Sequence, residues 1–513
     1  MLYTGAKKRA IMQNTSIHPV RPRGAAIVKL VIGLFMFSSS AMAGTKVSKQ
    51  DVEDSLSVET HVVIESETEW QASKDTLSGL EIIDGQVIGE GTYASKLLSF
   101  DSRTQLSQII FEQGSSWDNW APTPRKVAPT TLQDAPVLLA VSDKSYWLFG
   151  RYEGEPGENE IAGKGSEQPS LGGYHAWHSE DMLTWTHHGP VTDERSRWMT
   201  TAEYVDGKFL LYYDYPNDQD PHLFIDEDLF DGKLGQDVGK VFADLSNGSD
   251  AGVMRDLDGS FNLIYEDWTP INPKFRSWDS PLAGRAVSPN GITPFKTAGI
   301  AVDYRTTPTG KIDTYPHPHW LQHPDFTTRI GDYEVHSPKQ DAFGDWTMIR
   351  VGDEYYLFGD YEPATPRKRH DGSLEPHISL GILSSETIDG RFEFVGSIGD
   401  GHPDPSVGFA EGQFYLITQT EEDFVSPGPW VDGVTARAGV DKDGDGEVDV
   451  WTEWQSVKEH YRLAEGYSRV VEKTDARLDL SGLPSGFGVK VEFKMTKAKG
   501  TPFSPEMNRI TIQ

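Results

Sequence analysis

The sequence predicts an all-β protein, a five-bladed β-propeller with an accessory β-sandwich-like element formed by the N- and C-terminal segments. Three observations support this fold class. One hairpin motif recurs five times, stretches with the period of a helix are scarce, and the 513 residues include 50 glycines and 31 prolines, as turn-rich β folds require. Repeated antiparallel units are typical of a propeller with one unit per blade, whereas a β-sandwich rarely repeats one hairpin five times.

Each copy of the hairpin motif is a short apolar strand, a polar turn and an aromatic-rich strand. Asp-Gly at the turn is the strongest short hairpin signal that a sequence carries, and Glu-Gly is a weaker version of it. The direct count is five blades, although the long gap between the third and fourth copies leaves room for an irregular sixth. The copies cover residues 136–150, 199–213, 251–265, 346–360 and 406–420, with turns near Asp143, Asp206, Asp258, Gly352 and Glu411.

The first 43 residues have the pattern of a secretory signal peptide. Basic side chains precede an apolar run from Leu30 to Phe37 that is too short to span a bilayer, and Ala41, Met42 and Ala43 form a small-x-small cleavage motif. A retained membrane anchor is the alternative. The pattern predicts export from a cell of Gram-negative type, as a periplasmic or secreted protein with no membrane span after cleavage.

Composition shifts divide the rest of the chain. The stretch after the signal peptide is acidic and aperiodic, as in a flexible leader. Near the other end, Val489, Val491 and Phe493 alternate with charged residues, as in a strand with one buried face. We therefore expect the two ends to pair beside the propeller. The predicted boundaries are 1–43 for the signal peptide, 44–70 for the flexible leader, 71–120 for N-terminal accessory strands, 121–461 for the propeller and 462–513 for C-terminal accessory strands.

The charge balance limits the partners of the protein. The chain carries 78 Asp and Glu against 47 Lys and Arg, a formal net charge of −31. Nucleic acids and anionic membranes need a positive face, so we expect neither as a partner. The chain has no cysteine, which excludes disulfides, thiolate zinc sites and a cysteine nucleophile. The sequence leaves the oligomeric state open.

Propeller topology predicts that two sets of residues share one end of the central channel. The innermost strand of each blade begins at that end and the second strand returns to it. Four of the five inner strands begin with an aspartate at nearly one register, although Asp is a poor strand former. A generic solvated acidic rim is the alternative. The strand starts contribute Asp134, Asp250, Asp345 and Asp404. The ends of the second strands contribute Arg151, Glu153, Asp214, Tyr215, Glu266, Asp267, Trp268, Asp360, Tyr361, Glu362, Glu421 and Glu422.

Carboxylates crowded at a narrow mouth repel one another and are partly desolvated, which separates their pKa values. One carboxyl group then stays protonated as an acid while another stays ionised as a base. Glycoside hydrolysis needs such a pair. Nearby tryptophans such as Trp268 could stack on sugar rings, with ordinary blade packing as the alternative.

Three motifs resemble glycoside hydrolase family 43, the five-bladed propeller glycosidases, over roughly residues 125–425. They are DAPVLL at Asp134, WMTTAEYVDGKFLLYY at Trp198 and SDAGVMRDLDGSFNLIY at Asp250. The resemblance implies that Asp134 is the general base and that Asp250 orients and tunes the acid. The family's acid is a glutamate in an EGP-like strand start. Here the matching position reads FGDW and offers Asp345, with Glu266 and Glu362 as alternatives by geometry.

Histidines cluster in the second half of the chain. His402 lies two residues before Asp404, so we expect it near the mouth in a catalytic or substrate-contacting role, as in related propeller hydrolases that use a histidine. His317, His319 and His323 could bind a metal or belong to a hydrogen-bonded loop. The predicted substrate contacts are Arg151, Asp404, Trp268, Tyr361 and His319.

A calcium signature lies late in the chain. The segment DKDGDGEVD places Asp441, Asp443, Asp445 and Asp449 at positions 1, 3, 5 and 9 of an EF-hand-like loop, with a glycine at position 6. Position 12 is Thr452 rather than the usual glutamate. The pattern predicts a structural Ca²⁺ ion, and a solvated acidic turn is the alternative.

Together these features predict an exported glycoside hydrolase that cleaves a polysaccharide or its oligosaccharides with inversion, with a marine substrate suggested by the charge. Asp134 would activate water, and Asp345 or Glu266 would be the acid. One alternative is a polysaccharide lyase of propeller fold, and another is a non-catalytic glycan-binding propeller. The sugar, the linkage and the exo or endo mode stay open. The lyase would use His402, Tyr361 or Tyr265, and Arg151 or Arg285.

Overall fold

The fold comes from a computed structural model. No helix in the described part of the chain is long and apolar enough to cross a membrane. The predicted signal peptide, the cluster of His317, His319 and His323, and His402 lie outside the described residues. The structure describes residues 60–113, 120–123, 127, 132–152 (backbone only for 132–134), 173–193, 198–215, 220–243, 248–268, 279–280, 282–303, 341–363, 368, 374, 376, 378–400, 404–420, 422–426, 428, 433–497 and 506–513.

The N-terminal elements begin earlier than predicted, because residues 62–73 are ordered where the sequence predicted a flexible leader to 70. Ser66 and Glu69 form a capping box that starts a helix. Trp70 is buried, and its indole N–H donates to the Gly85 carbonyl at 2.9 Å. The elements are β1 (Val62–Ile64), α1 (Glu67–Ser73), β2 (Lys74–Ile83), β3 (Gln86–Ser95), β4 (Leu98–Thr104), β5 (Gln108–Gln113) and β6 (Ala121–Pro122).

The next nineteen strands, together with β6, form five antiparallel blades. Blades 1 and 2 contain β7 (Leu132–Ser142), β8 (Ser145–Tyr152), β9 (Tyr174–Ser179), β10 (Thr186–Pro190), β11 (Trp198–Val205), β12 (Lys208–Asp214), β13 (Pro221–Asp226), a 3-10 turn (Leu229–Asp231) and β14 (Gln236–Lys240). Blades 3 to 5 contain β15 (Gly252–Arg255), β16 (Phe261–Glu266), β17 (Ala283–Ser288), β18 (Lys296–Val302), β19 (Ala342–Val351), β20 (Glu354–Glu362), β21 (Ser379–Ser385), β22 (Glu393–Ile398), β23 (Ser406–Ala410), β24 (Gln413–Ile417) and β25 (Phe424–Ser426).

The five predicted hairpins are confirmed as the first two strands of each blade. Asp206 and Gly207 both have positive φ, 51° and 80°, and link β11 to β12 as a two-residue turn. Glu411 and Gly412 do the same between β23 and β24, with φ values of 53° and 72°. Turns of this kind need positive φ at both positions, which explains the Asp-Gly and Glu-Gly pairs.

The blades close into a ring in two ways. The inner strands contact one another in the order β7, β11, β15, β19, β23 and back to β7. The short strand β6 comes from before blade 1 and pairs with β25, so it completes blade 5. Asp423 fixes this junction, because its carboxylate accepts hydrogen bonds from the backbone N–H groups of Thr418 at 3.0 Å and Val127 at 2.6 Å. The predicted five-bladed propeller is confirmed.

The two ends of the chain pair as predicted. An eleven-stranded sheet joins β1 to β5 with six strands from the C-terminal part of the chain, one of which has Val489, Val491 and Phe493 on its buried side. Tyr93 stacks on Phe493 with ring centroids 4.8 Å apart. The C-terminal strands are β26 (Val434–Asp441), β27 (Val450–Trp451), β28 (Gln455–Ser456), β29 (His460–Leu463), β30 (Val470–Thr474), β31 (Ala476–Asp479), β32 (Gly486–Met495) and β33 (Glu506–Ile512).

The boundary predicted at residue 461 needs correction. Strands β26 to β28 already belong to the accessory sheet, whereas β29 and β30 form a hairpin on blade 4. Strand β30 runs parallel to β19, with Arg350 opposite Val470. Alternation along the sequence identifies a strand but not the sheet that it joins, and this crossing could not be predicted from it.

Candidate functional site

Three aspartates lie where the inner strands of blades 3, 4 and 5 begin, an end of the axis that we call the mouth. Asp250, Asp345 and Asp404 have positive φ values of 52°, 51° and 35°, and all three side chains are partly exposed. Such φ values are uncommon outside glycine, although Asp tolerates them better than most residues. The same unfavourable backbone at equivalent places in three blades marks a candidate functional site.

Buried carboxylates hold this backbone from the neighbouring blade. Asp214 ends β12, and its Oδ2 accepts a hydrogen bond from the Asp250 N–H at 2.9 Å. Asp360 lies near the end of β20, and its Oδ1 accepts from the Asp404 N–H at 3.0 Å. The relation repeats from blade 2 to 3 and from blade 4 to 5. Asp214 therefore positions Asp250, and Asp360 positions Asp404.

The mouth carboxylates converge although they are far apart in the chain. Asp345, Asp360 and Asp404 each bring one carboxylate oxygen within 4.8 Å of the other two. The backbone of Asp250, in blade 3, lies next to this group, because the Trp346 N–H donates to the Asp250 backbone carbonyl at 3.1 Å. These distances are short enough for each charge to influence the protonation of the others.

Burial and like charge raise the pKa values of this group. Asp345 keeps some solvent contact, but loss of water around its carboxyl group raises its pKa well above the ordinary value, and the charges of Asp404 and Asp250 raise it further. Burial likewise raises the pKa of Asp360, against the lowering effect of the Asp404 N–H. Asp279 shows the same direction, from burial and then from the charge of Glu362. A carboxyl group in this setting stays protonated at a pH where an isolated one is ionised.

Glu266 is held as an acceptor. Its Oε1 accepts from the Ser280 N–H at 2.9 Å, and its Oε2 accepts from the Ser249 hydroxyl and the Trp268 indole, both at 3.2 Å. Three donors favour the ionised carboxylate, so Glu266 is less suited than Asp345 to deliver a proton.

Three aromatic predictions need correction. Trp268 is only 1% exposed, so its face does not lie open for a sugar to stack on. Tyr361 is buried between Phe343 and Phe394, with ring centroids 5.0 and 4.9 Å away. Tyr265, a predicted lyase residue, is also buried. Tyr265 and Tyr361 each lie next to a mouth residue in the same strand, so the alternation turns their rings to the opposite side, into the blades.

The mouth ends of blades 1 and 2 carry an arginine next to a tryptophan. The Arg151 guanidinium lies 4.2 Å from the centre of the Trp198 ring, and both side chains are partly exposed. Strand β7 loses its regular register with β8 between Gln133 and Val137, so Asp134 lies on an irregular stretch at the mouth end. Bulges of this kind redirect side chains and often lie beside active sites.

Arg285, which the lyase alternative would use, lies in β17 of blade 3. Its guanidinium donates a hydrogen bond to the Asn262 side chain at 2.8 Å.

Asp279 was missed by the sequence analysis. It lies outside all five hairpin motifs, immediately before Ser280, whose carbonyl accepts from the Phe343 N–H at 2.8 Å. No periodic signal marks the position. The sequence indicates the positive φ values at the strand starts only weakly. Each of these positions has an Asp where a strand would favour a β-branched residue.

The predicted calcium loop connects β26 to β27. Asp441 is buried, and its Oδ2 accepts from the Gly446 N–H at 3.0 Å. Asp441, Asp443 and Asp449 each bring one oxygen within 4.8 Å of the others. Asp445 is not in that group and accepts from the backbone within the loop. Three of the four predicted ligands thus converge.

Comparisons with known proteins give no close relative. No protein-family model matches the chain, and no curated protein matches it. Solved structures that resemble it include an exo-1,5-α-L-arabinanase from a bovine ruminal metagenomic library, with 15% identity, a TM-score of 0.35 and coverage of 57% of this chain and 92% of that one.

Two others are family-43 glycoside hydrolases, the family that the motifs resemble. One is a thermostable enzyme with 12% identity and a TM-score of 0.36, covering 71% of this chain and 98% of that one. The other is an arabinoxylan arabinofuranohydrolase from Bacillus subtilis with 11% identity and a TM-score of 0.36, covering 77% and 98%. At this level of similarity, a function has to be inferred from the mouth residues themselves.

Proposed function

We propose that the protein is a glycoside hydrolase that cleaves a polysaccharide or its oligosaccharides at the mouth, with inversion at the anomeric carbon. The observation that carries the proposal is Asp345, a partly exposed carboxyl group whose pKa is raised by burial and by Asp404 and Asp250. Such a group keeps its proton to a higher pH than an ordinary carboxyl group and can donate it to the oxygen of the leaving sugar.

The base would be Asp134, at the mouth end of the inner strand of blade 1. It would take a proton from water as the water oxygen bonds to the anomeric carbon and the glycosidic C–O bond breaks. Asp345 would give its proton to the departing oxygen, so one water is consumed for each bond cleaved. Asp250 and Asp404 would keep the Asp345 pKa high, and Arg151 would bind the substrate beside Trp198.

The test is incubation with neutral, sulfated and uronic polysaccharides, with products read by mass and the first-formed anomer read by NMR. We expect a gain of one water per cleavage and inverted product. Asp345→Asn should lower kcat by about 10²- to 10⁴-fold, the usual contribution of a general acid. Asp206→Asn makes the same chemical change in an exposed hairpin turn and should leave kcat unchanged. Equal rates in Asp345→Asn and the wild type would refute the proposal.

Two alternatives give different products. Elimination adds no water and leaves an unsaturated, ultraviolet-absorbing end. It is not favoured, because Tyr361 and Tyr265 are buried. A non-catalytic glycan-binding propeller would show sugar binding without turnover, in the wild type and in Asp345→Asn alike.

Export is part of the same proposal, since a polysaccharide substrate would be met outside the cytoplasm. The signal peptide would be removed after Ala43. The intact mass of the protein recovered from the periplasm or the medium tests this, and a chain that keeps residues 1–43 would contradict it.

The loop at Asp441 would bind a structural Ca²⁺ ion through Asp441, Asp443 and Asp449. Oxygen ligands of this kind suit calcium, and a bound ion stabilises the fold by about 2.7 kcal/mol at a concentration 100 times the Kd. We expect Ca²⁺ to raise the Tm of the wild type but not of Asp443→Asn. An unchanged Tm in the wild type, after treatment with a chelator and readdition of Ca²⁺, would contradict calcium binding.

A further inference from the structure

The most buried cation of the described chain lies on the propeller axis. Arg469 directly precedes β30 and is 1% exposed. Its carbonyl accepts from the Arg350 N–H at 2.8 Å, next to the parallel pairing of β30 with β19. Strand β30 meets β19 just before the hairpin turn at Gly352, on the side of the propeller opposite the mouth. The C-terminal hairpin therefore places the Arg469 guanidinium on the axis from that side.

The guanidinium joins four blades directly. Its Nη1 donates to the Thr347 hydroxyl at 3.2 Å and to the Val407 carbonyl at 3.0 Å. Its Nη2 donates to the Leu138 carbonyl at 3.3 Å and the Thr201 hydroxyl at 3.4 Å. These four acceptors lie on the inner strands of blades 4, 5, 1 and 2. A planar guanidinium can bridge several acceptors at once, which an ammonium group cannot do in the same geometry.

The remaining blade, blade 3, is reached through a buried acid. Glu203, in β11, is 1% exposed and lies 3.5 Å from Arg469 Nε. The same Glu203 oxygen accepts from the Arg255 N–H of blade 3 at 3.3 Å. Arg469 and Glu203 together therefore contact the inner strands of all five blades.

These contacts lie only a few residues from the mouth. Thr347 follows Asp345 by two positions, Val407 follows Asp404 by three, and the Val407 N–H donates to the Thr347 hydroxyl at 3.3 Å. Leu138 follows Asp134 by four positions in the same strand. A shift of an inner strand at the level of the guanidinium would therefore move the aspartate at its start.

From this geometry we infer that Arg469 is a positioning residue, through which the C-terminal hairpin sets the spacing of the mouth carboxylates. The inference rests on the proposed function for its effect on turnover, but not for its effect on the carboxylates themselves. It also gives the hairpin a role in the site that its place in the chain, beyond the last blade, does not suggest.

The test compares Arg469→Lys with Arg462→Lys. Arg462 lies on the same hairpin, in an exposed pair with Glu472. Lysine keeps the charge beside Glu203 but cannot bridge four further acceptors. We expect Arg469→Lys to lower kcat at least tenfold with less than a threefold change in KM, measured well below its Tm, and Arg462→Lys to match the wild type. Thr347→Val removes one acceptor and should lower kcat by a smaller factor.

A second readout needs no turnover. Carbodiimide labelling of Asp345, read by peptide mass at a series of pH values, reports the protonation of this mouth carboxyl group. We expect its midpoint to shift in Arg469→Lys and Thr347→Val but not in Arg462→Lys. If the wild type hydrolyses nothing but the midpoint shifts, the proposed function fails and the positioning role stands. If Arg469→Lys only lowers the Tm, with kcat and midpoint unchanged, the positioning role is overturned. If Arg469→Lys does not fold, Thr347→Val decides by the same two measurements.

Discussion

The mouth and the middle of the propeller axis both bury ionisable groups, but they treat charge in opposite ways. In the middle, Arg469 faces Glu203 and the inner strands supply further acceptors. At the mouth, Asp345, Asp360 and Asp404 each bring one carboxylate oxygen within 4.8 Å of the other two. Opposite charges that share many partners fix a geometry, whereas like charges that crowd together alter protonation.

Stability and chemistry are separated along the propeller axis. Burial and like charge make the mouth unfavourable for folding, which is the usual property of a site that needs perturbed pKa values. The buried pair below it resists the movement that would relieve that repulsion. The two regions therefore predict opposite responses to substitution.

The largest expected effect is on the mid-axis pair. Arg469→Met should lower the free energy of unfolding by about 3–5 kcal/mol, because it leaves Glu203 buried without its partner. Urea denaturation at pH 7 measures it. Arg462→Met, on the exposed part of the same hairpin, should lose less than about 1 kcal/mol. Adding Glu203→Gln to Arg469→Met should recover part of the loss. Equal losses for the two arginine variants would mean that the buried pair stabilises the fold no more than an exposed arginine does.

Much of the fold follows from the sequence, and the limits have physical causes. Two-residue turns need positive φ, so Asp206 and Glu411 marked hairpins without any knowledge of the rest of the chain. Arg469 carries no comparable signal, because its role depends on five strands that are distant in sequence. Alternation also could not show that Tyr361 is buried, since strands buried on both faces have no polar side.

The stability of the protein should depend on pH through the buried acid of the mid-axis pair. Burial raises the pKa of Glu203 from its ordinary 4.5 to about 7, against the lowering effect of Arg469. The folded protein then binds more protons than the unfolded chain between these values. This contribution to stability is present below about pH 4.5 and is lost as the pH rises to about 7, by at most about 1.4 kcal/mol per pH unit for one group.

The mouth groups Asp345, Asp360 and Asp279 act in the same direction. We therefore expect the urea midpoint to fall between pH 5 and pH 8. Glu203→Gln should flatten the part of this dependence below pH 7 and leave the part due to the mouth. A midpoint that rises with pH would mean that these carboxyl groups are ionised and paired in the folded protein.

The smallest expected change in stability is at the mouth itself. Asp360→Asn keeps an oxygen that can accept from the Asp404 N–H but removes one of the crowded charges. We expect a gain in stability of about 1 kcal/mol at pH 8, the equivalent of less than one pKa unit, together with a loss of hydrolysis as the Asp345 pKa falls. Asp206→Asn, in its exposed turn, should change neither. A loss of stability in Asp360→Asn would mean that its charge is compensated, and the contrast between the two regions would then lie in their geometry alone.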